Sequence, residues 1–288
     1  MSDHRRLQRT LFRMQADPGF AHALLLGDEE AVASTALSPE DLRLLAGVEP
    51  AALSADPGGK RRTQIAGNAA SEFRLTLAAV ARCALAPEFL EAFLASPELH
   101  GAMARDGRLP LAFADYAARR AEEAGEATVG AIARLESAMA RLRRAQSSPA
   151  ARAPLRADEV RLSARAAVET LPAGTAAFAE ALGRSLVEPC ASPATPTLSG
   201  EELVLLTAEP AANGHRLGSV SVEVLSPPAD LLLARARESL DAAARAAFAR
   251  EHGAEPAELE RFLDTFVADG VLERGPRPRT NPDPTGPR

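Results

Sequence analysis

Along the first half of the chain the apolar residues recur at helical spacing. Leu7, Leu11 and Met14 make a stripe along residues 4–16, with Arg5, Arg6, Arg9 and Arg13 on the solvent side. Asp17-Pro18 reads as the cap of a second short helix ending at Gly27. Asp28 starts a third, and Ser38-Pro39-Glu40-Asp41 starts a fourth that carries Leu42, Leu44 and Leu45. The turn Asp56-Pro57-Gly58-Gly59 leads into the longest helical stretch, residues 61–85. Ala86-Pro87 breaks it, Phe89, Leu90, Phe93 and Leu94 line the next helix, and Ser96-Pro97-Glu98 caps another. Two more follow near 110–124 and 128–145, the latter with Ile132, Leu135, Met139 and Leu142 on one face. Successive amphipathic helices joined by short capped turns predict an α-helical domain over residues 1–147.

The spacing changes after Ser147-Ser148-Pro149, which places a domain boundary near 147–155. Seven arginines between 141 and 169 face three acids, a locally basic hinge. Val160–Leu162 reads as a short β segment, residues 174–185 as a helix, and Leu203–Thr207 as a further strand. The turn Ala211–Gly214 then makes a hairpin toward Arg216–Leu225. Within Ser219–Glu273 alternation is plain: Val220, Val222 and Val224 face one way, Ser219, Ser221 and Glu223 the other. Ser226 reads as an N-cap, with Pro227 and Pro228 opening a helix over 227–238. Ser239 caps a second helix that stops at His252 because Gly253 can take the left-handed conformation.

Pro256 and Glu258 open a third helix, whose Leu259, Phe262, Leu263, Phe266 and Val267 fall on one face. Gly270 closes it, and Val271-Leu272-Glu273 returns as a strand. Strand, three helices and closing strand describe a winged-helix-like domain over 155–274, and the fold class is α+β. The tail, residues 275–288, holds five prolines and is expected to be disordered.

Composition narrows the function classes. The 288 residues are 46% hydrophobic but only 4% aromatic, so the core is built from Leu, Ala, Val and Phe. A net charge of −6 argues against a dominant nucleic-acid footprint. Cys83 and Cys190 lie too far apart for a metal-ligand spacing, and fit a reducing compartment. Neither a secretory signal nor an apolar run of roughly 20 residues is present, so a cytoplasmic protein without membrane association is expected.

Enzyme motifs fail on inspection. Asp56–Arg61 carries Gly-Gly-Lys, but a phosphate-binding loop needs a further glycine where Ser54 stands and a hydroxyl where Arg61 stands. His4, His22, His100, His215 and His252 show no spacing that pairs two ligands on a helix. Cys83 falls in an apolar pattern and is expected to be buried and inert, and nothing basic lies beside Cys190 to activate it.

A winged helix commonly reads DNA, so a DNA-binding transcription regulator is the alternative function. The third helix weighs against it, carrying Glu255, Glu258, Glu260, Asp264 and Asp269 against a single Arg261. If strand 219–225 is a sheet edge, its unpaired backbone groups suit an extended peptide added as a strand. An ordinary internal strand fits the same periodicity.

These passages resemble a known family. The unit 219–273 looks like the recognition element that binds precursors of ribosomally made, post-translationally modified peptides. LQRTLFRMQADPGFAHALLLGD, the long helix, LPLAFADYAARR and IARLESAMARL are similar to the helical domain of partner subunits of multinuclear non-haem iron oxidative enzymes. VRLSARAAVETLP, EELVLLTAEP and the three-helix end are laid out as in that family, which serves the methanobactin and 3-thiaglutamate pathways.

The resemblance implies a non-catalytic partner. It would form a heterodimer with the iron enzyme, carry no metal or cofactor itself, and bind the precursor's leader. Val220, Ser221, Val222, Glu223 and Val224 would flank the docked strand. Arg261, Phe262 and Thr265 would line the groove from the helix.

Overall fold

Capping decides where the first helices begin. In the computed structural model, which describes residues 4–49, 56–105, 108–147, 152–188, 193–209 and 219–276, α1 spans His4–Ala16. Asp17 accepts the Phe20 amide at 3.0 Å to start α2 (Pro18–Leu25), and Asp28 accepts that of Ala31 at 2.9 Å to start α3 (Glu29–Thr35). Ser38 does the same for α4 (Pro39–Ala46) and Ser96 for α8 (Pro97–Ala104). The remaining helices of this region are α5 (Asp56–Glu72), α6 (Arg74–Val80), α7 (Phe89–Leu94), α9 (Leu109–Ala124) and α10 (Ala127–Ser147).

The long helix differs from its sequence expectation at both ends. It starts at Asp56, so Gly58 and Gly59 lie inside its first turn rather than in a turn ahead of it. It also breaks at Phe73. The buried Glu136, reaching in from α10, accepts the backbone amides of Leu75 at 3.0 Å and Thr76 at 2.8 Å. That carboxylate caps the new helix α6 from a distance in sequence that no local pattern records. Cys83 falls in the turn beyond α6 and is half-exposed rather than buried. Desolvation still raises its thiol pKa.

Two compact units form, residues 1–137 with 177–196, and residues 138–176 with 197–288. Residues 177–196, read from sequence as part of the second domain, group with the first. In the first unit Phe73, Phe89, Phe93, Phe113 and Tyr116 pack ring on ring at 5.0–6.4 Å. The Tyr116 hydroxyl donates to the Phe89 carbonyl at 3.0 Å, so the polar tip of the cluster is satisfied.

The second unit supplies the β part of an α+β chain. Strand β1 (Val160–Leu162) pairs antiparallel with β5 (Leu272–Arg274), and Leu240 bridges to Val160. Strands β2 (Ala166–Pro172), β3 (Glu201–Ala208) and β4 (Val220–Val224) form a second antiparallel sheet in the order β2-β3-β4. Helix α11 (Thr175–Val187) follows β2, and the chain ends with α12 (Ala229–Arg235), α13 (Ala242–His252) and α14 (Pro256–Ala268) before β5. An aliphatic cluster including Val160, Val168, Leu205, Leu233, Leu263 and Leu272, with Phe248, joins β1, β2, β3 and β5 to α12, α13 and α14.

Two expected caps are reassigned. Helix α12 starts at Ala229 without a side-chain cap, so Ser226 does not serve as one. Ser239 donates to Glu159 at 2.6 Å, and Asp241 caps α13 by accepting the Ala244 amide at 2.7 Å. Gly253 and Gly270 take the left-handed φ of +64° and +71° expected of helix ends. Of the expected stripe on α14, Leu259 and Leu263 are buried, Phe266 is half-buried, and Phe262 is 37% exposed. The Ala211–Gly214 turn, Cys190, Ser148-Pro149 and residues 277–288 lie outside the described residues.

Candidate functional site

Strand β4 holds five of the eight residues singled out by sequence, and its backbone phase can be worked out. The Leu225 amide donates to the Leu203 carbonyl at 2.9 Å, and the Glu209 amide to the Ser219 carbonyl at 2.9 Å. Antiparallel ladders alternate bonded and non-bonded pairs, so Ser219, Ser221, Glu223 and Leu225 exchange bonds with β3. The N–H and C=O groups of Val220, Val222 and Val224 therefore point away from β3. Among the described residues β4 pairs with β3 alone, which leaves those three residues on the outer edge of the sheet.

Register also separates the side chains by face. Val220, Val222 and Val224 stand opposite Ala208, Leu206 and Val204, whereas Ser221 and Glu223 stand opposite Thr207 and Leu205. Leu205 belongs to the aliphatic cluster shared with α12, α13 and α14, and Leu203 packs against that cluster. Ser221 and Glu223 are thus the β4 side chains on the three-helix side of the sheet, and the valines occupy the opposite side. Val224 is half-exposed, while Val220 and Val222 are partly covered.

The other three residues sit on α14. Arg261 and Thr265 are exposed, and the Thr265 hydroxyl donates to the Arg261 carbonyl at 3.1 Å. Phe262 meets Phe266 edge-on at 4.8 Å. Helix α14 packs against α13 and β5, whereas β4 packs against β3. What the two groups share is the aliphatic cluster: Leu225, just after β4, packs on it, as do Phe266 and Val267 of α14.

The acidity of α14 is partly consumed inside the fold. Glu260 accepts from Arg245 at 2.7 Å and from Arg274 at 3.1 Å, and Asp264 pairs with Arg274 at 2.9 Å. Arg245 also reaches Asp158 at 2.6 Å. Its guanidinium is buried, which would lower its pKa, but the bonds to Glu260 and Asp158 outweigh this and raise it. Of the acids counted against nucleic acid, Glu255, Glu258 and Asp269 remain outside this network, with Arg261 4.0 Å from Glu258.

Neither a scan of the chain against protein-family models nor a search of the curated proteins finds a match. The site is therefore argued from its own geometry. Among the described residues no three His, Cys, Asp or Glu side chains come together as a metal site, and no helix is long and apolar enough to cross a membrane.

Sequence reasoning passed over the first unit's arginines as ordinary solvent-facing charge. The structure places them around two clefts that flank α1. Arg5, Arg9 and Arg61 surround Leu11, Phe12 and Met103 in a cleft of about 620 Å³. Arg6, Arg9 and Arg13 meet Ser34, Thr35 and His100 in one of about 240 Å³. Helical periodicity gives the face on which each arginine lies, but the second wall of a cleft comes from another helix.

Proposed function

We propose that this chain is a non-catalytic partner protein that binds the leader of a ribosomally synthesised precursor peptide and presents it to a separate iron-dependent oxidative enzyme, with which it forms a heterodimer. The observation that supports this reading is the outer edge of β4. Three residues there offer alternate N–H and C=O groups at the spacing an incoming strand would use. In this reading the sheet β2-β3-β4 followed by α12, α13 and α14 is a winged-helix-like recognition element. The leader runs beside Val220–Val224, with Ser221 and Glu223 facing the helical side and Arg261, Phe262 and Thr265 contributing from α14.

Backbone pairing supplies affinity with little dependence on leader sequence, and selectivity falls to the side chains flanking the strand. Arg261 suits an acidic leader residue, a contact worth about 1.5–3 kcal/mol for a charge-assisted hydrogen bond once desolvated. The iron, its ligands and the oxidative chemistry belong to the partner enzyme. This chain takes no cofactor and works in the cytoplasm.

The test is a titration of the purified full chain, alone and with the iron enzyme, against the leader peptide. Saturable binding is expected, with the peptide amides opposite β4 protected from hydrogen exchange. Absence of binding in both titrations would remove the proposal. A DNA duplex that outcompetes the peptide at low salt would replace it with the regulator reading.

A further inference from the structure

The sheet β2-β3-β4 has two outer edges, and among the described residues only one of them is guarded. On β2 the Arg165 carbonyl accepts the Ala208 amide at 2.8 Å, a phase that turns the backbone groups of Val168 and Pro172 outward. Along that edge the Arg237 guanidinium donates to the Val168 carbonyl. The Thr175 hydroxyl donates to the Pro172 carbonyl at 2.5 Å, and Pro172 has no N–H to offer. Such devices keep a sheet from being extended by another chain. Strand β4 has none of them. Its residues include neither Pro nor Lys, and its register with β3 runs without a bulge. Ser221 and Glu223 are exposed, and Val224 is 50% exposed.

We infer that β4 pairs with the β4 of a second copy of this chain, antiparallel about a two-fold axis through Val222. The strand is self-complementary in that register. Outward residues meet outward residues, Val222 against Val222 and Val220 against Val224, and each pair exchanges both backbone bonds. Valine then faces valine across the junction, a β-branched pairing that sheets favour. Glu223 stands opposite Ser221, so no like charges meet. An axis through Glu223 would set two carboxylates face to face, and one through Ser221 would leave Val224 beyond the end of the opposing strand. A second copy also arrives already extended, so it avoids the ordering cost that a disordered peptide carries. The paired strands alone fall short of the roughly 1,200 Å² of a standard interface, so the dimer is weak and reversible. Self-pairing hides the groups at which a leader would dock. Leader and second copy therefore exclude one another, a consequence that rests on the leader reading of this edge, whereas the dimer does not.

Sedimentation velocity on the full chain, from about 1 μM to about 1 mM, tests this. The weight-average mass is expected to rise toward two chains with concentration. Val222→Pro removes a central N–H and should hold the chain monomeric with its melting almost unmoved. Ser221→Glu, at an exposed position, sets carboxylates opposite Glu223 and should weaken the dimer about fivefold. Adding Glu223→Arg turns each repulsion into an ion pair and should restore it. If Val222→Pro does not fold, the charge variants still decide. A chain that stays monomeric at about 1 mM would overturn the inference, as would a dimer that Ser221→Glu leaves untouched. Added leader peptide should dissociate the dimer. Leader binding that leaves the dimer whole would overturn the mutual exclusion, and a dimer in a chain that binds no leader would remove the leader proposal alone.

Discussion

The two units present polar groups to solvent in different ways. In the first, most described residues lie in helices, so what faces outward is chiefly side chain, including the guanidiniums of Arg13 and Arg61 stacked on Phe20 and Phe12. In the second, among the described residues, no strand pairs with the outward backbone groups of Val220, Val222 and Val224 on β4. A helical surface selects partners by charge and shape. A sheet edge selects them by extended conformation, whatever their side chains. A chain that carries both meets solvent in two different ways.

The cores differ in the same sense, and the largest expected effect separates them. Phe113 is fully buried among four other rings of the first unit. Phe113→Ala should cost about 3–5 kcal/mol, read as a lowered urea midpoint for the helical unit with the β unit's transition in place. A single shifted transition for the whole molecule would show that the two units unfold as one.

A smaller effect sharpens the account of β4. Glu223 donates its amide to β3, and Val222 points its own outward. Glu223→Pro should therefore destabilise the second unit by about 1–3 kcal/mol through a lost ladder bond, and Val222→Pro should leave its melting almost unmoved. Only Val222→Pro, still folded, should remove an added strand. Equal damage from both prolines would mean the phase is wrong or the edge is covered.

The smallest effect concerns pH. The His100 side chain is only 9% exposed, and burial, then Arg13, pushes its pKa below the ordinary 6.5, against a pull upward from Asp17, 3.7 Å away, and the Leu94 carbonyl. The unfolded chain takes up this proton first, so the contribution is absent above pH 6.5 and becomes destabilising as pH falls from 6.5 through the folded value. Thermal melts of the parent should show that loss on acidification, and His100→Gln should show less of it.

Most helix boundaries were legible in sequence because their causes are local. Asp17, Asp28, Ser38 and Ser96 each cap within three residues, and Gly253 and Gly270 end helices through their own backbone freedom. What was not legible came from afar. Glu136 breaks the long helix from 60 and 61 residues downstream, and Glu159 takes Ser239 away from a capping role across 80. For the candidate site, alternation identified β4 and its two faces. It did not say which face meets the helices, since that depends on the β3 register. Periodicity overstated Phe262 because a stripe as wide as that on α14 exceeds what its neighbours cover.

The pairing of β1 with β5 bears on how the molecule is made. Val160 is matched with Arg274, so the small sheet that closes the second unit lacks half its members until Leu272–Arg274 have left the ribosome. Leu240 can bridge to Val160 earlier, but only the final strand completes the arrangement. During translation the second unit must wait with its aliphatic surface incompletely covered, and a nascent chain stalled short of Leu272 would be a natural target for chaperones or proteases.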